Sequence, residues 1–259
     1  MMKKHISNIG NSIRRLLVLV AGLLSVTLSF AITKDNADTA YKQGKYQQAI
    51  IDYQELLKEG VSPELYYNLG NAYYRSDNLA QAILAYERAA QLSPGNSDIR
   101  FNLQFARAKT IDKIVPDNEM FFVTWYKRLV NFTSVDNWAR TGIVAVVLAL
   151  LLMLAYLFGP QLVVRKIGFY GSSIALLLFV VTTFFAWQQK QNLERHCGAI
   201  IMAPSVTIKK TPVANGTDAF VLHEGTRVDI TDKSMKSWYG IKIGDGREGW
   251  IPASQVEII

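Results

Sequence analysis

The feature that most constrains this 259-residue chain is a pair of charge-free apolar runs held only eight residues apart. "TGIVAVVLALLLMLAYLF", Thr141 to Phe158, holds 18 residues, and "IGFYGSSIALLLFVVTTFFAW", Ile167 to Trp187, holds 21. At ~1.5 Å per residue the shorter run covers roughly 27 Å as a helix, close to the ~30 Å of a bilayer's hydrocarbon. Buried helices of a soluble core contain apolar runs too, but two of this length without a charge read as membrane spans. Thr133 or Ser134 is placed to cap the first helix, so the spans are expected at 135–158 and 167–187. The intervening "GPQLVVRK", 159–166, permits only a tight antiparallel hairpin. Neither apolar run, 141–158 or 167–187, contains Asp, Glu, Lys, Arg or His, the usual marks of an ion or proton path. The hairpin therefore reads as an anchor, with small-residue pairs Ala145/Ala149 and Gly171/Ala175 allowing close helix approach.

Which side each polar region faces is set by the first 31 residues. "KKHISNIGNSIRR" leads into "LLVLVAGLLSVTLSFA", and small Ser29 and Ala31 stand at the −3 and −1 positions of a cleavage site. That layout is an export signal, or else an uncleaved N-terminal anchor. Either one holds its cations inside and sends the following segment out of the cytoplasm. The loop 159–166, with Arg165 and Lys166, is then cytoplasmic, and both flanking polar regions are periplasmic at a bacterial inner membrane. Lys3, Lys4, Arg14 and Arg15 also supply four of the seven net positive charges, leaving +3 for the rest. No nucleic-acid surface is implied. The single Cys197 cannot form an internal disulfide.

The polar segment 32–112 carries a helical repeat. In "PELYYNLGNAYYRSDNLAQAILAYERAAQLSP", 63–94, apolar or small residues recur at Tyr66, Leu69, Gly70 and Tyr73, then at Leu79, Ala82, Tyr86 and Ala89. Two amphipathic helices broken at "SDN" follow, with Gly70 and Ala82 at their crossing and Pro94 as the stop. The pattern resembles the tetratricopeptide repeat. A second copy lies upstream through Gly44, Tyr46, Ala49, Tyr53 and Leu56, and "SDIRFNLQFARAKTI" adds a solvating helix. The resemblance implies a concave protein-binding face lined by helix A residues: Lys34, Asp38 and Tyr41, then Tyr67, Asn71 and Tyr74, then Phe101 and Phe105. For each tyrosine, helix packing is the competing role.

Residues 113–134 hold a linker and "MFFVTWYKRLVNF", whose aromatic face suits either the lipid headgroup region or packing onto the repeats. After residue 187 the period changes. "SVTIKKTPV", "FVLHEGTRVDITD" and "SWYGIKIGDGREGWIP" alternate at strand lengths, with Asp245-Gly246 as a hairpin turn. Residues 188–259 are expected to hold a linker and then a domain that resembles a bacterial SH3 domain, an all-β barrel. The resemblance implies groove candidates Trp238, Trp250 and Pro252, although Gln255 stands where a groove tyrosine is usual. The fold class expected is thus multi-domain: an all-α repeat array, a two-helix membrane hairpin and a β-barrel.

In this order the modules resemble the Bacteroides aerotolerance (Bat) family. The resemblance implies a membrane complex with von Willebrand factor A-type Bat proteins and a MoxR-like ATPase. Peptidoglycan is a second partner that bacterial SH3 relatives suggest. His5, His196 and His223 are scattered, and no nucleophile–base set, phosphate loop or metal spacing is present. No enzyme activity and no cofactor are expected.

Overall fold

Capping side chains and helix breakers fix most element boundaries. The computed structural model describes residues 34–114, 120–195 and 197–259; the expected signal segment lies outside them. Residues 34–42 form α1, followed by α2 (Tyr46–Glu59), α3 (Pro63–Arg75), α4 (Leu79–Leu92) and α5 (Ser97–Arg107). Ser62 Oγ accepts from Leu65 N–H at 3.1 Å, Asn78 Oδ1 from Gln81 N–H at 3.3 Å, and Asn96 Oδ1 from Asp98 N–H at 2.9 Å. Each satisfies an amide that the first helical turn leaves without a partner. Pro63 fills the first turn of α3, where its missing N–H costs nothing. Ala37, Ala49, Tyr53, Leu65, Leu69 and Ala72 form the core between α1, α2 and α3. Helix α5 closes the array on α4 through Ile99, Leu103 and Ala106.

Next come α6 (Phe121–Val130), α7 (Val135–Phe158) and α8 (Leu162–Glu194). The second and third of these, at 24 and 33 residues, are long and apolar enough to cross a membrane. Helix α8 starts five residues earlier than the sequence suggests, so the loop shrinks from 159–166 to 159–161. Only Gly159 and Pro160 interrupt the helix, and "LVVRK" contains nothing that stops one. Beyond Trp187, α8 continues through good helix formers, helped by a 3.7 Å Lys190–Glu194 pair. The two helices run antiparallel and close. A Cβ on Gly168 would lie 2.6 Å from Tyr156 N and 2.7 Å from Leu152 O.

The C-terminal region is a seven-stranded antiparallel sheet. Its strands are β1 (Gly198–Ile201), β2 (Ser205–Lys209), β3 (Asp218–His223), β4 (Arg227–Asp232), β5 (Trp238–Lys242), β6 (Glu248–Pro252) and β7 (Val256–Ile258). The order is β3-β2-β6-β5-β4-β1-β7, and the ladder does not close between β3 and β7. In place of the closed barrel expected from the sequence there is an open sheet. Strands β2 and β6 meet in a single register pair, Lys209 with Trp250, and the sheet packs around buried Ile201, Ile208, Leu222, Val228, Ile241 and Ile251.

The free side of β7 is occupied by the helical array, so the two polar regions are not separate docking units. Ile200 and Ile259 share a core with Ala82, Ile83, Leu84 and Tyr86. Arg88 Nη2 donates to Ile258 O at 2.7 Å and pairs with Glu257 at 3.1 Å. Buried Glu87 is held between Arg107 and Arg227. Asp112 accepts from His223 N–H and Thr226 Oγ1, both at 2.7 Å, with His223 Nδ1 at 2.9 Å. Gly225 makes the intervening turn at φ +79°, a conformation that disfavours a side chain, and a Cβ there would lie 2.9 Å from both Ile83 and Thr110.

Candidate protein-binding site

Helices α1, α3 and α5 present three linked patches. In the first, Asp38, Tyr41, Lys42, Tyr53, Asn68 and Asn71 line a cavity of about 190 Å³. Asp38 Oδ1 accepts from Tyr53 OH at 2.6 Å and from Asn68 Nδ2 at 3.3 Å. Burial first, and the Asp38 carboxylate second, push the Tyr53 phenol well above its ordinary range. It therefore stays a proton donor to Asp38 at any physiological pH.

The second patch is an amide–phenol network. Asn71 Oδ1 accepts from Tyr86 OH at 2.7 Å and from Asn102 Nδ2 at 2.9 Å, while Asn102 Nδ2 also lies 3.1 Å from Tyr67 OH. The Tyr67 and Tyr86 rings are 6.0 Å apart. Burial, then the neighbouring Tyr67, raise the Tyr86 phenol, so this hydroxyl also remains a donor. With its oxygen occupied, Asn71 keeps an amide group with two N–H donors for a ligand.

The third patch is aromatic. Phe101 and Phe105 stack at 6.3 Å, and Tyr74 lies 5.8 Å from Phe105. Lys109 Nζ sits 4.6 Å from the Tyr74 centroid, close enough for a cation–π contact. Phe101 and Phe105 stay 66% and 51% exposed, although their helix packs on α4. Together the patches offer amide donors, a carboxylate, an ammonium and an apolar platform, which suits an extended polypeptide with a hydrophobic side chain.

Tyr41 and Asn71 share the first cavity, Tyr67 joins Asn71 through Asn102, and Tyr74, Phe101 and Phe105 form the third patch. Sequence reasoning passed over Lys42, Tyr53, Asn68, Asn102 and Lys109. Asn68 and Asn71, three apart on one helix face, were the available signal. Tyr53 gave none, because its spacing is that of a core residue on α2.

In the sheet, Trp238 faces Pro252 and Gly240 faces Trp250 across β5 and β6. Strand alternation then puts Trp238, Trp250 and Pro252 on one face, with Ile241 and Ile251 on the buried one. The three are half-buried and form a short apolar strip.

The tetratricopeptide repeat family matches residues 34–97, from α1 to the start of α5. This region is a tetratricopeptide module, a type of array that binds other proteins. No curated protein matches the chain.

Proposed function

We propose that the chain is a membrane-anchored scaffold of a bacterial envelope complex, a BatE-type protein without catalytic activity of its own. In this reading α7 and α8 span the inner membrane, the loop 159–161 is cytoplasmic, and the repeats and sheet are periplasmic. The sheet acts as a divergent, opened SH3-like module. Partners are other membrane proteins of the Bat type with von Willebrand factor A domains. The observation that carries the reading is the open face of α1, α3 and α5. Direct contact between the array and the sheet supports one shared compartment for them, as a helix that leaves and a helix that returns require.

Photo-crosslinkers at Tyr41 and Phe105 in intact cells test it. The expected outcome is a membrane-protein adduct that Asn71→Asp weakens. Adducts unaffected by changes on this face, or none, would remove the scaffold reading. The strip of Trp238, Trp250 and Pro252 favours a second role, a tether to peptidoglycan. Purified full-length protein should then co-sediment with cell-wall sacculi, and Trp238→Ala should abolish this.

A further inference from the structure

Helix α6 and the turn after it leave most of their large aromatic side chains exposed. Phe121, Phe122, Trp125 and Phe132 are 83%, 61%, 58% and 76% exposed. At about 100° per residue, Phe121, Phe122, Trp125 and Leu129 occupy one arc, and exposed Phe132 follows in the turn after the helix. Thr124, Lys127 and Arg128 occupy another. Between them runs the side that meets α8, where Val130 is buried and the Tyr126 ring lies 6.4 Å from Phe185.

The level at which α6 is held matters as much as its faces. Gln189 Nε2 donates to Thr133 O at 3.0 Å, with Val130 O and Asn131 Oδ1 at 3.4 and 3.3 Å. Trp138 Nε1 donates to Val130 O at 2.9 Å. Gln189 lies two residues beyond the apolar run of α8, and Trp138 lies three before that of α7. The end of α6 is therefore fixed at the edge of the apolar slab. Its aromatic arc is left exposed, like the apolar faces of the hairpin, rather than covering the repeats. The repeats touch this region elsewhere: Gly95, in the α4–α5 turn, lies so close to the Phe132 carbonyl that a Cβ would not fit.

We propose that α6 is a third contact with the bilayer. It lies in the headgroup–acyl boundary of the leaflet nearest the repeats, aromatic arc in lipid and Lys127/Arg128 arc in water. The α4–α5 turn rests on the Phe132–Thr133 segment that follows it. The occupant of the aromatic arc is lipid, because that arc is exposed on a helix tied to the edge of the apolar slab, whose own apolar side chains are exposed in the same way. Interfacial helices sink their apolar face by about 5–10 Å, which the Phe and Trp side chains match. The proposal rests on the reading that α7 and α8 span a membrane.

The test uses the full chain in lipid nanodiscs, with Cys197→Ser as background. Single cysteines replace Phe121, Trp125, Thr124 and the span residue Ile174, each carrying an environment-sensitive fluorophore. Nitroxide lipids labelled near the headgroup should quench the probes at 121 and 125 about twofold or more over the probe at 124, as a shallow helix requires. Lipids labelled mid-chain should quench the probe at 174. Equal quenching at 121, 125 and 124, with the probe at 174 still quenched, overturns the placement of α6 alone. An unquenched probe at 174 overturns the anchoring reading and this placement together. Phe132→Cys repeats the measurement should Trp125→Cys lose helicity.

Discussion

A missing methyl group at position 70 sets the distance between α3 and α4. A Cβ there would lie 2.6 Å from two carbons of the Tyr86 ring, which Asn71 holds by its hydroxyl. The ring is buried and cannot swing aside. Gly70→Val should therefore destabilise the repeats by about 2 kcal/mol, within the usual cost of overpacking, and lower the thermal midpoint of the purified protein. An unchanged midpoint would mean that α3 and α4 separate without cost. Asp112 works through charge instead. Burial tends to raise its pKa, but hydrogen bonds from the His223 side chain, Thr226 and the His223 amide outweigh it and hold the carboxyl below the usual range. A depressed carboxyl contributes its full stability above the unfolded value of ~3.9 and loses it as pH falls through the folded value. Below about pH 4, the protection of α4 amides, taken relative to their intrinsic exchange rates, should fall as the contact with the sheet loosens. In Asp112→Asn that protection should already be lower at neutral pH and change little further on acidification.

At the scale of elements, the apolar hairpin of α7 and α8 owes its closeness to backbone contact. The Cβ of a residue at 168 would meet Tyr156 N and Leu152 O, main-chain atoms that cannot rotate away. Gly168→Leu should splay α7 from α8 at a cost of about 1–3 kcal/mol. In a Cys197→Ser background, cysteines at Leu152 and Gly171, whose Cβ would lie 3.0 Å from the Leu152 side chain, should form a disulfide. Adding Gly168→Leu should reduce its yield to background. Much of this level is legible in sequence, since apolar length and caps such as Ser134 are local signals. The start of α8 was less so. Arg165 and Lys166 were counted as loop because cations end an apolar run, yet helix formation depends on the backbone and nothing after Pro160 opposes it. The aromatic arc of α6 was visible as a pattern, but its surroundings depend on Gln189, 59 residues from Val130.

At the scale of the whole molecule, the contact between repeats and sheet had no local signature. Asp112 and His223 are 111 residues apart, and Arg88 and Glu257 are 169 apart. Each residue read alone is an ordinary surface charge. The apolar half of the joint was hidden in the same way, because Ile200 alternates like any strand residue and Ile83 like any helix residue. A two-repeat array buries little of its own surface, and such arrays depend on neighbouring units for stability. Here α5 takes the place of a further repeat, and the sheet is a second neighbour that covers another part of α4. Ile200, fully buried in the shared core, tests that dependence. Ile200→Ala should cost about 2–4 kcal/mol, typical of a truncated core isoleucine, and the loss should appear in both partners. Hydrogen exchange would show α4 and β1 losing protection together in the full-length protein. Loss confined to β1, with α4 as protected as before, would mean that the repeats fold without the sheet and that the contact orients the two parts without stabilising either.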